Sequence, residues 1–225
     1  MPNTSESFQP ANRSNVSVLS KVEKRTLIWI AERLPAWVHS DHLTALGFTS
    51  LAATGLVYWN ARMNRGLLAL AVVLLAVNWF GDSLDGTLAR VRNRQRPRYG
   101  FYVDHVLDAL GTFILMSGLA FSGYMTPAIA YAFLIVYLLL SIEVYLATYT
   151  IGTFHLSFWS FGPTELRVLL ATGSLVAIWH PYALFPGRSF LLFDIGFGIG
   201  TLGMSAVLIY AVVRHTTALY KLETK

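Results

Sequence analysis

Long apolar stretches restrict the fold of this 225-residue sequence more than any other feature, since 55% of its residues are hydrophobic and 13% are charged. A helix needs about 20 predominantly apolar residues to cross a hydrocarbon core of about 30 Å. Six stretches approach this length, and they cover residues 43–60, 66–89, 104–124, 127–149, 165–181 and 190–213. The first and the fifth are short or contain polar residues. The sequence therefore predicts an all-α fold, an integral membrane bundle of six transmembrane helices.

The segments that flank these stretches are more polar. Residues 1–19 are rich in Ser and Asn, and this composition predicts a disordered N-terminal tail. In residues 20–34 apolar residues recur at helical spacing among lysines and arginines, which predicts an amphipathic helix on the membrane surface. A solvated helix ahead of the first span is the alternative. We expect one membrane domain over residues 20–213 and a C-terminal tail over residues 214–225.

The distribution of basic residues predicts the orientation of the bundle. Six spans place both termini on one side, and that side receives all but Arg62, Arg65 and Arg188 of the 17 lysine and arginine residues. Because cytoplasmic loops carry an excess of Lys and Arg, we expect both termini on the cytoplasmic side. The net charge of +5 then indicates attraction to anionic lipid, and nucleic acid is not an expected partner.

Four carboxylates lie in or next to the second and third spans, at Asp82, Asp85, Asp104 and Asp108. An isolated acid at the centre of a membrane helix costs about 2.5–3.5 kcal/mol on insertion scales, so four of them need compensation. Residues three and four apart share a helix face, so two antiparallel helices can direct all four at one point. Such oxygen ligands suit Mg²⁺ or Mn²⁺, and two ions could clamp the oxygens of a phosphoryl displacement. Pairing with nearby arginines is the alternative.

Small and basic residues accompany these acids. Gly86 and Ala89 leave space on the face of the first two carboxylates, where a flat ligand such as a nucleobase could lie. Arg90 adds a guanidinium of the kind that binds phosphate. We expect Gly100 to let the two helices approach each other closely.

The complete pattern, D-x2-D-G-x2-A-R-x9-G-x3-D-x3-D, resembles the signature of the CDP-alcohol phosphotransferases, the class I CDP-alcohol phosphatidyltransferase family. It is matched in full by Asp82, Asp85, Gly86, Ala89, Arg90, Gly100, Asp104 and Asp108. The six-span layout behind a surface helix is also similar to this family. The resemblance implies a phospholipid-biosynthetic enzyme that transfers a substituted phosphate from a CDP-linked donor to an alcohol and releases CMP. It also implies a homodimer. The distribution of basic residues predicts that its active site faces the cytoplasm.

The resemblance further implies a role for each position of the signature. Two divalent metal ions would be bound by Asp82, Asp85, Asp104 and Asp108. The donor nucleotide would be bound by Asp85, Gly86, Ala89, Arg90 and Gly100. Asp108 would also act as general base on the acceptor hydroxyl, although a carboxylate next to Mg²⁺ is a weak base.

Two departures bear on the substrates. Many members have Pro-Asn before Leu-Thr at the first span, whereas this chain reads Ser-Asp-His-Leu-Thr over residues 40–44, which leaves open whether this turn contacts the nucleotide. The pair Asp104-His105 is similar to the choline and ethanolamine phosphotransferases, which join a CDP-amino-alcohol to diacylglycerol. His105 could be a general base, or it could pack elsewhere, about 100° from the carboxylate face. We expect CDP-diacylglycerol as donor, and a CDP-amino-alcohol is the alternative.

Two further charged residues are candidates for binding the acceptor. Glu143 lies within the fourth span, where an acid is a candidate site residue, and a hydrogen-bonded structural acid is the alternative. Arg167, at the start of the fifth span, could bind a phosphate of the acceptor or anchor the helix end among lipid headgroups.

Two other functions use intramembrane acids. An intramembrane prenyltransferase also binds a diphosphate through two Asp-rich helices and Mg²⁺, but its two motifs usually lie far apart in the chain. A divalent-cation transporter would spread its carboxylates through several helices, and it would leave the set of Gly86, Ala89 and Arg90 unexplained.

Overall fold

The computed structural model describes residues 18–151, 163–185 and 187–224, and this part of the chain is mostly helical. Its helices are α1 (Val18–Arg33), α2 (Ser40–Ala61), α3 (Leu67–Val91), α4 (Pro97–Phe121), α5 (Pro127–Ile151), α6 (Pro163–Trp179) and α7 (Leu192–Glu223). A short antiparallel hairpin of β1 (Tyr182–Phe185) and β2 (Arg188–Leu191) precedes α7. The predicted helical fold is confirmed, and the hairpin is an addition that the apolar pattern did not predict. Residues 1–17 of the predicted tail lie outside the described residues.

Four of the described helices, α3, α4, α5 and α7, are long and apolar enough to cross a membrane. Of the other two predicted spans, α2 has 22 residues but is less apolar, and α6 has 17 residues. They correspond to the first and the fifth predicted stretches, which are short or contain polar residues. The chain is therefore a membrane protein with four supported spans, and the count of six stays a prediction.

Helix α1 packs against α3 through a small apolar cluster. The cluster contains Leu27, Ala31, Leu43, Leu84 and Leu88. Arg92, just after α3, donates from Nη2 to the carbonyl oxygens of Leu34 and Pro35 at 2.9 and 3.0 Å, and from Nη1 to that of Val38. The end of α1 is therefore tied to the loop that joins α3 and α4. A helix is present at Val18–Arg33, where the sequence predicted one over residues 20–34, and its position on a membrane surface stays a prediction.

Glycines bring α2 into backbone contact with both α3 and α4. A Cβ added to Gly81 would lie 2.7 Å from the amide nitrogen of Gly47, and one added to Gly118 would overlap the carbonyl oxygen of Gly55. The expectation that Gly100 allows close approach is wrong, because a Cβ there would meet no atom within 4 Å. Gly100 lies in the exposed first turn of α4, at the α3–α4 loop, whereas the close crossings occur farther along the helices.

The remaining helices cover the other side of α3 and α4. Helix α6 packs against α3, and α5 packs against both α4 and α7. Tyr58 of α2 and Ser174 of α6 share a hydrogen bond of 2.7 Å in the interior, where both residues are fully buried. Helix α7 has 32 residues and continues through Glu223, so residues 214–223, predicted as a tail, extend the last helix.

Candidate active site

Helices α3 and α4 bring three carboxylates together. Asp82, Asp104 and Asp108 each contribute an oxygen atom, these oxygens lie within 4.8 Å of one another, and all three residues are partly buried. The short loop of residues 92–96 joins the two helices. The four-residue spacing of Asp104 and Asp108 places both on one face of α4. The structure thus brings together three of the four carboxylates of the pattern.

The fourth carboxylate, Asp85, is held by helix α2 instead. Its Oδ2 accepts a hydrogen bond of 2.6 Å from Thr44 Oγ1, and its backbone oxygen accepts one of 2.9 Å from Ser40 Oγ. Asp85 still lies close enough to Asp82 and Asp104 for electrostatic repulsion. Sequence reasoning missed Ser40 and Thr44 as partners of Asp85. The available signal was two hydroxyl residues four positions apart, which share one face of α2.

Arg167 of α6 lies within this site. Its Nη2 donates to Oδ2 of Asp82 at 2.8 Å, and its Nε donates to Oδ1 of Asn78 at 2.7 Å. The Arg167 side chain is 13% exposed, so the ion pair is largely shielded from solvent. Asn78 also donates from Nδ2 to the backbone oxygen of Gly47 at 2.8 Å. Sequence reasoning missed Asn78. It could have been identified as an amide side chain in an apolar stretch, one helical turn before Asp82.

The charges of this site fit a divalent cation. Asp108 is repelled by Asp82, Asp104 and Asp85 and attracted by Arg167. The carboxylates repel one another, and a bound cation would relieve this repulsion. Three converging carboxylate oxygens are hard ligands of the kind that divalent metal ions such as Mg²⁺ prefer. The residues present can therefore hold a divalent metal.

The small and basic residues of the pattern border open space. A Cβ at Gly86 would approach only Arg90, whose Nη1 would lie 3.4 Å away. Arg90 donates from Nη2 to Thr87 Oγ1 at 3.0 Å. Ala89 lines a groove of about 350 Å³ between the start of α2 and the α3–α4 loop. The other residues that line this groove are His39, Ser40, Asp41, Leu88, Arg92, Arg94, Gln95 and Arg96.

His105 lies outside the three-carboxylate group. Its Nδ1 is 2.6 Å from the carbonyl oxygen of Phe101. The imidazole ring is 4.1 Å from the ring of Phe101 and 4.8 Å from that of Tyr145, measured between centroids. The structure therefore packs His105 against aromatic rings, which is the alternative that its helical position predicted.

Glu143 pairs with a residue that the sequence gave no reason to select. Its Oε1 accepts a hydrogen bond of 2.5 Å from Nδ1 of His215, which joins α5 to α7. The two side chains are 10% and 22% exposed, respectively. The second oxygen of Glu143 is buried and has no hydrogen-bond partner in the described part of the chain. Arg167, the other candidate for binding the acceptor, binds Asp82.

Comparison with protein families and with curated proteins gives two matches. The sequence model of the CDP-alcohol phosphatidyltransferase family matches residues 37–200. An archaetidylinositol phosphate synthase of Methanothermobacter thermautotrophicus is 31% identical over 113 residues, which cover 50% of this chain and 54% of that protein. The chain therefore spans about half the length of the curated relative that it matches.

A similar fold occurs among solved structures. The crystal structure of Mycobacterium tuberculosis phosphatidylinositol phosphate synthase (PgsA1) with CDP-DAG bound superposes with a TM-score of 0.65. The match covers 85% of this chain and 94% of that chain at 19% sequence identity. At this identity the likeness establishes a shared fold.

Proposed function

Because this chain belongs to the CDP-alcohol phosphatidyltransferase family, we propose that it transfers a phosphatidyl-type group from a CDP-linked lipid donor to an alcohol and releases CMP. The observation that carries this proposal is the convergence of Asp82, Asp104 and Asp108 between α3 and α4. The family match includes both Asp-rich segments. An intramembrane prenyltransferase and a divalent-cation transporter are left without support.

The proposed donor is CDP-diacylglycerol, because the solved structure with the same fold has CDP-DAG bound. Both similar proteins are named as inositol phosphate lipid synthases, so an inositol phosphate is the first acceptor to test. A CDP-amino-alcohol is the second candidate donor, and the pair Asp104-His105 favours it. The packing of His105 against Phe101 and Tyr145 does not favour His105 as the base.

We propose that the carboxylate site binds two divalent metal ions, Mg²⁺ or Mn²⁺, through Asp82, Asp104 and Asp108, with Asp85 completing it. Bound metal would neutralise the donor diphosphate and the charge that develops on the leaving phosphate. The repulsion among these carboxylates supports the proposal, because a cation relieves it.

The chain's own residues would then perform the remaining steps. Gly86 and Ala89 provide the space for cytidine, and Arg90 binds the diphosphate. Gly100 would border the same donor. The acceptor hydroxyl oxygen attacks the β-phosphorus, the bond from this phosphorus to the CMP oxygen breaks, and Asp108 accepts the hydroxyl proton. The binding of the acceptor by Arg167 and Glu143 stays a prediction.

The orientation of this site is also a proposal. We propose that the carboxylates and both termini face the cytoplasm, because the α3–α4 loop beside them carries arginines at positions 92, 94 and 96. The natural chain has no cysteine, so single cysteines can report accessibility. In intact cells an impermeant thiol reagent should label Asn64→Cys in the α2–α3 loop and not Gln95→Cys. If only Gln95→Cys were labelled, the orientation would be the opposite of the proposed one. The homodimer stays a prediction, which crosslinking in membranes can test.

The test of the reaction is CMP release by purified protein in lipid with Mg²⁺ or Mn²⁺. One set of reactions contains CDP-diacylglycerol with inositol phosphate or pooled alcohols, and the other contains CDP-choline and CDP-ethanolamine with diacylglycerol. We expect release in the first set, and loss of more than 100-fold in Asp104→Asn. Asp194→Asn is the matched control, since Asp194 is an acid in the first turn of α7 that binds Thr126, outside the carboxylate cluster and the groove. Absence of metal-dependent CMP release with every donor would refute the proposal.

A further inference from the structure

Asn78 is a buried amide that joins three helices. It lies in α3, one turn before Asp82, and it is 3% exposed. Its Nδ2 donates to the backbone oxygen of Gly47 in α2 at 2.8 Å, and its Oδ1 accepts from Nε of Arg167 in α6 at 2.7 Å. A buried amide is stable only when its polar atoms are hydrogen-bonded, and here both ends are used. Neither contact belongs to the carboxylate pattern.

The contact with Asn78 controls the direction of the Arg167 guanidinium. This group is planar, so a hydrogen bond at Nε restricts where Nη2 can point. In the structure Nη2 lies 2.8 Å from Oδ2 of Asp82. Asn78 and Asp82 are four residues apart and share one face of α3, so a single arginine can bind both. Asn78 is thereby connected to the carboxylate site through Arg167.

Arg167 and a divalent cation bind the same carboxylate. The positive charge of Arg167 already neutralises part of Asp82, and this competes with a cation that uses Asp82 as a ligand. The competition is strong because the Arg167 side chain is 13% exposed, which limits screening by solvent. Loss of a properly oriented Arg167 should therefore tighten cation binding, which is opposite to the effect of general damage to the fold.

We propose that Asn78 is a positioning residue of the active site: it holds Arg167 on Asp82 and thereby lowers the affinity of the carboxylate group for divalent cations. This inference rests on the proposed metal site. If Asn78 had only a structural role, its loss would not be expected to increase the affinity for divalent cations.

The test measures binding of Mn²⁺ to the purified full-length protein in lipid, from the electron paramagnetic resonance signal of free Mn²⁺. We expect Arg167→Gln to bind Mn²⁺ about tenfold more tightly, because a competing interaction of about 1.4 kcal/mol between Arg167 and Asp82 is lost. Asn78→Ala should bind about threefold more tightly. The double variant should equal Arg167→Gln, because Asn78 acts only through Arg167.

Ser174→Ala is the matched control. It removes the buried hydrogen bond between Ser174 and Tyr58, which also joins α2 to α6. It should lower thermal stability and leave Mn²⁺ affinity unchanged. Arg167→Lys gives a second route if Asn78→Ala does not fold. Lysine keeps the charge but cannot donate to Asn78 and Asp82 from one plane, so its Mn²⁺ affinity should also rise.

Three results would overturn the inference. These are weaker or unchanged Mn²⁺ binding in folded Asn78→Ala (or in Arg167→Lys, where Asn78→Ala does not fold), a change from Asn78→Ala that persists in the Arg167→Gln background, or no Mn²⁺ binding by any variant. Failure of the proposed function is distinguishable. If the predicted Mn²⁺ shifts occur but the natural protein releases no CMP, the transfer reaction is wrong and the role of Asn78 stands.

Discussion

The hydroxyl of Thr44 donates a hydrogen bond of 2.6 Å to Oδ2 of Asp85, and this contact links the start of α2 to the one carboxylate of the pattern outside the three-carboxylate group. Ser40 binds the backbone oxygen of the same residue. Leu43 and Thr44 match the Leu-Thr found at this place in many members of the family, whereas the Pro-Asn that precedes it in those members is replaced here. The start of α2 therefore orients Asp85 through hydroxyl groups.

Replacing Thr44 with valine should weaken catalysis without unfolding the protein. A hydrogen bond to a charged group contributes about 1.5–3 kcal/mol, so we expect kcat/KM for the CDP-linked donor to fall by about tenfold or more. Steady-state CMP release measures this ratio. Thr44→Ser keeps the hydroxyl and should retain most of the activity. Full activity in the valine variant would show that this hydrogen bond is not important for catalysis.

Replacing Gly118 with alanine should destabilise the bundle. The added Cβ would overlap the carbonyl oxygen of Gly55, which no side-chain rotation can relieve. Overpacking typically costs about 1–3 kcal/mol, and we expect the melting temperature of the purified protein to fall by about 5 °C or more.

Gly203→Ala provides the comparison for that variant. A Cβ at Gly203 would meet no atom within 4 Å in the described structure, and alanine is favoured over glycine in a helix by about 1 kcal/mol. Its melting temperature should stay the same or rise. If the two alanine variants melted alike, the contact between Gly55 and Gly118 would not be a determinant of stability.

Replacing Gly86 with alanine should impair binding of the donor and leave the stability of the protein unchanged, whereas Gly118→Ala should lower the stability. The added Cβ would come no closer than 3.4 Å to Arg90, so the melting temperature should not fall. If this space receives cytidine, KM for the CDP-linked donor should rise by about tenfold, which corresponds to about 1.4 kcal/mol. A KM that matches the natural protein, measured beside Gly203→Ala, would exclude Gly86 from the nucleotide site.

Replacing His215 alone with leucine should destabilise the contact between α5 and α7. Removal of one partner leaves the buried Glu143 carboxylate uncompensated, and such changes cost about 3–5 kcal/mol. In the double variant Glu143→Leu/His215→Leu, apolar packing should restore the melting temperature to near the natural value. A double variant as unstable as His215→Leu would refute this interpretation. The acceptor KM of the double variant tests the predicted contact of Glu143 with the acceptor.

The carboxylates were predictable because their positions obey rules of local geometry. Spacings of three and four residues place side chains on one helix face. The short α3–α4 loop, together with α2, which packs against both helices, brings the carboxylates of the two faces together. The partners of these residues were not predictable in the same way. Thr44, Asn78 and His215 bind residues 41, 89 and 72 positions away, respectively. Periodicity identifies which face of a helix is polar, but it does not identify which other helix packs against that face.

The misassigned glycine has a similar explanation. Gly100 lies in the carboxylate pattern, and the pattern suggested that it serves helix packing. The close crossings use Gly47, Gly55, Gly81 and Gly118, which are spread over three helices. Glycine is equally suited to tight packing and to open space for a ligand. Only the position of a second backbone distinguishes the two uses, and that position depends on the whole bundle.

The backbone contacts of α2 with α3 and α4 have a mechanical consequence. Where two helices touch through glycines, no intervening layer of side chains can rotate or compress to let them slide. We therefore expect these three helices to move as one rigid unit, which carries Asp82, Asp104 and Asp108. Any motion of α5, α6 or α7 relative to these three helices would leave the spacing of the three carboxylates unchanged.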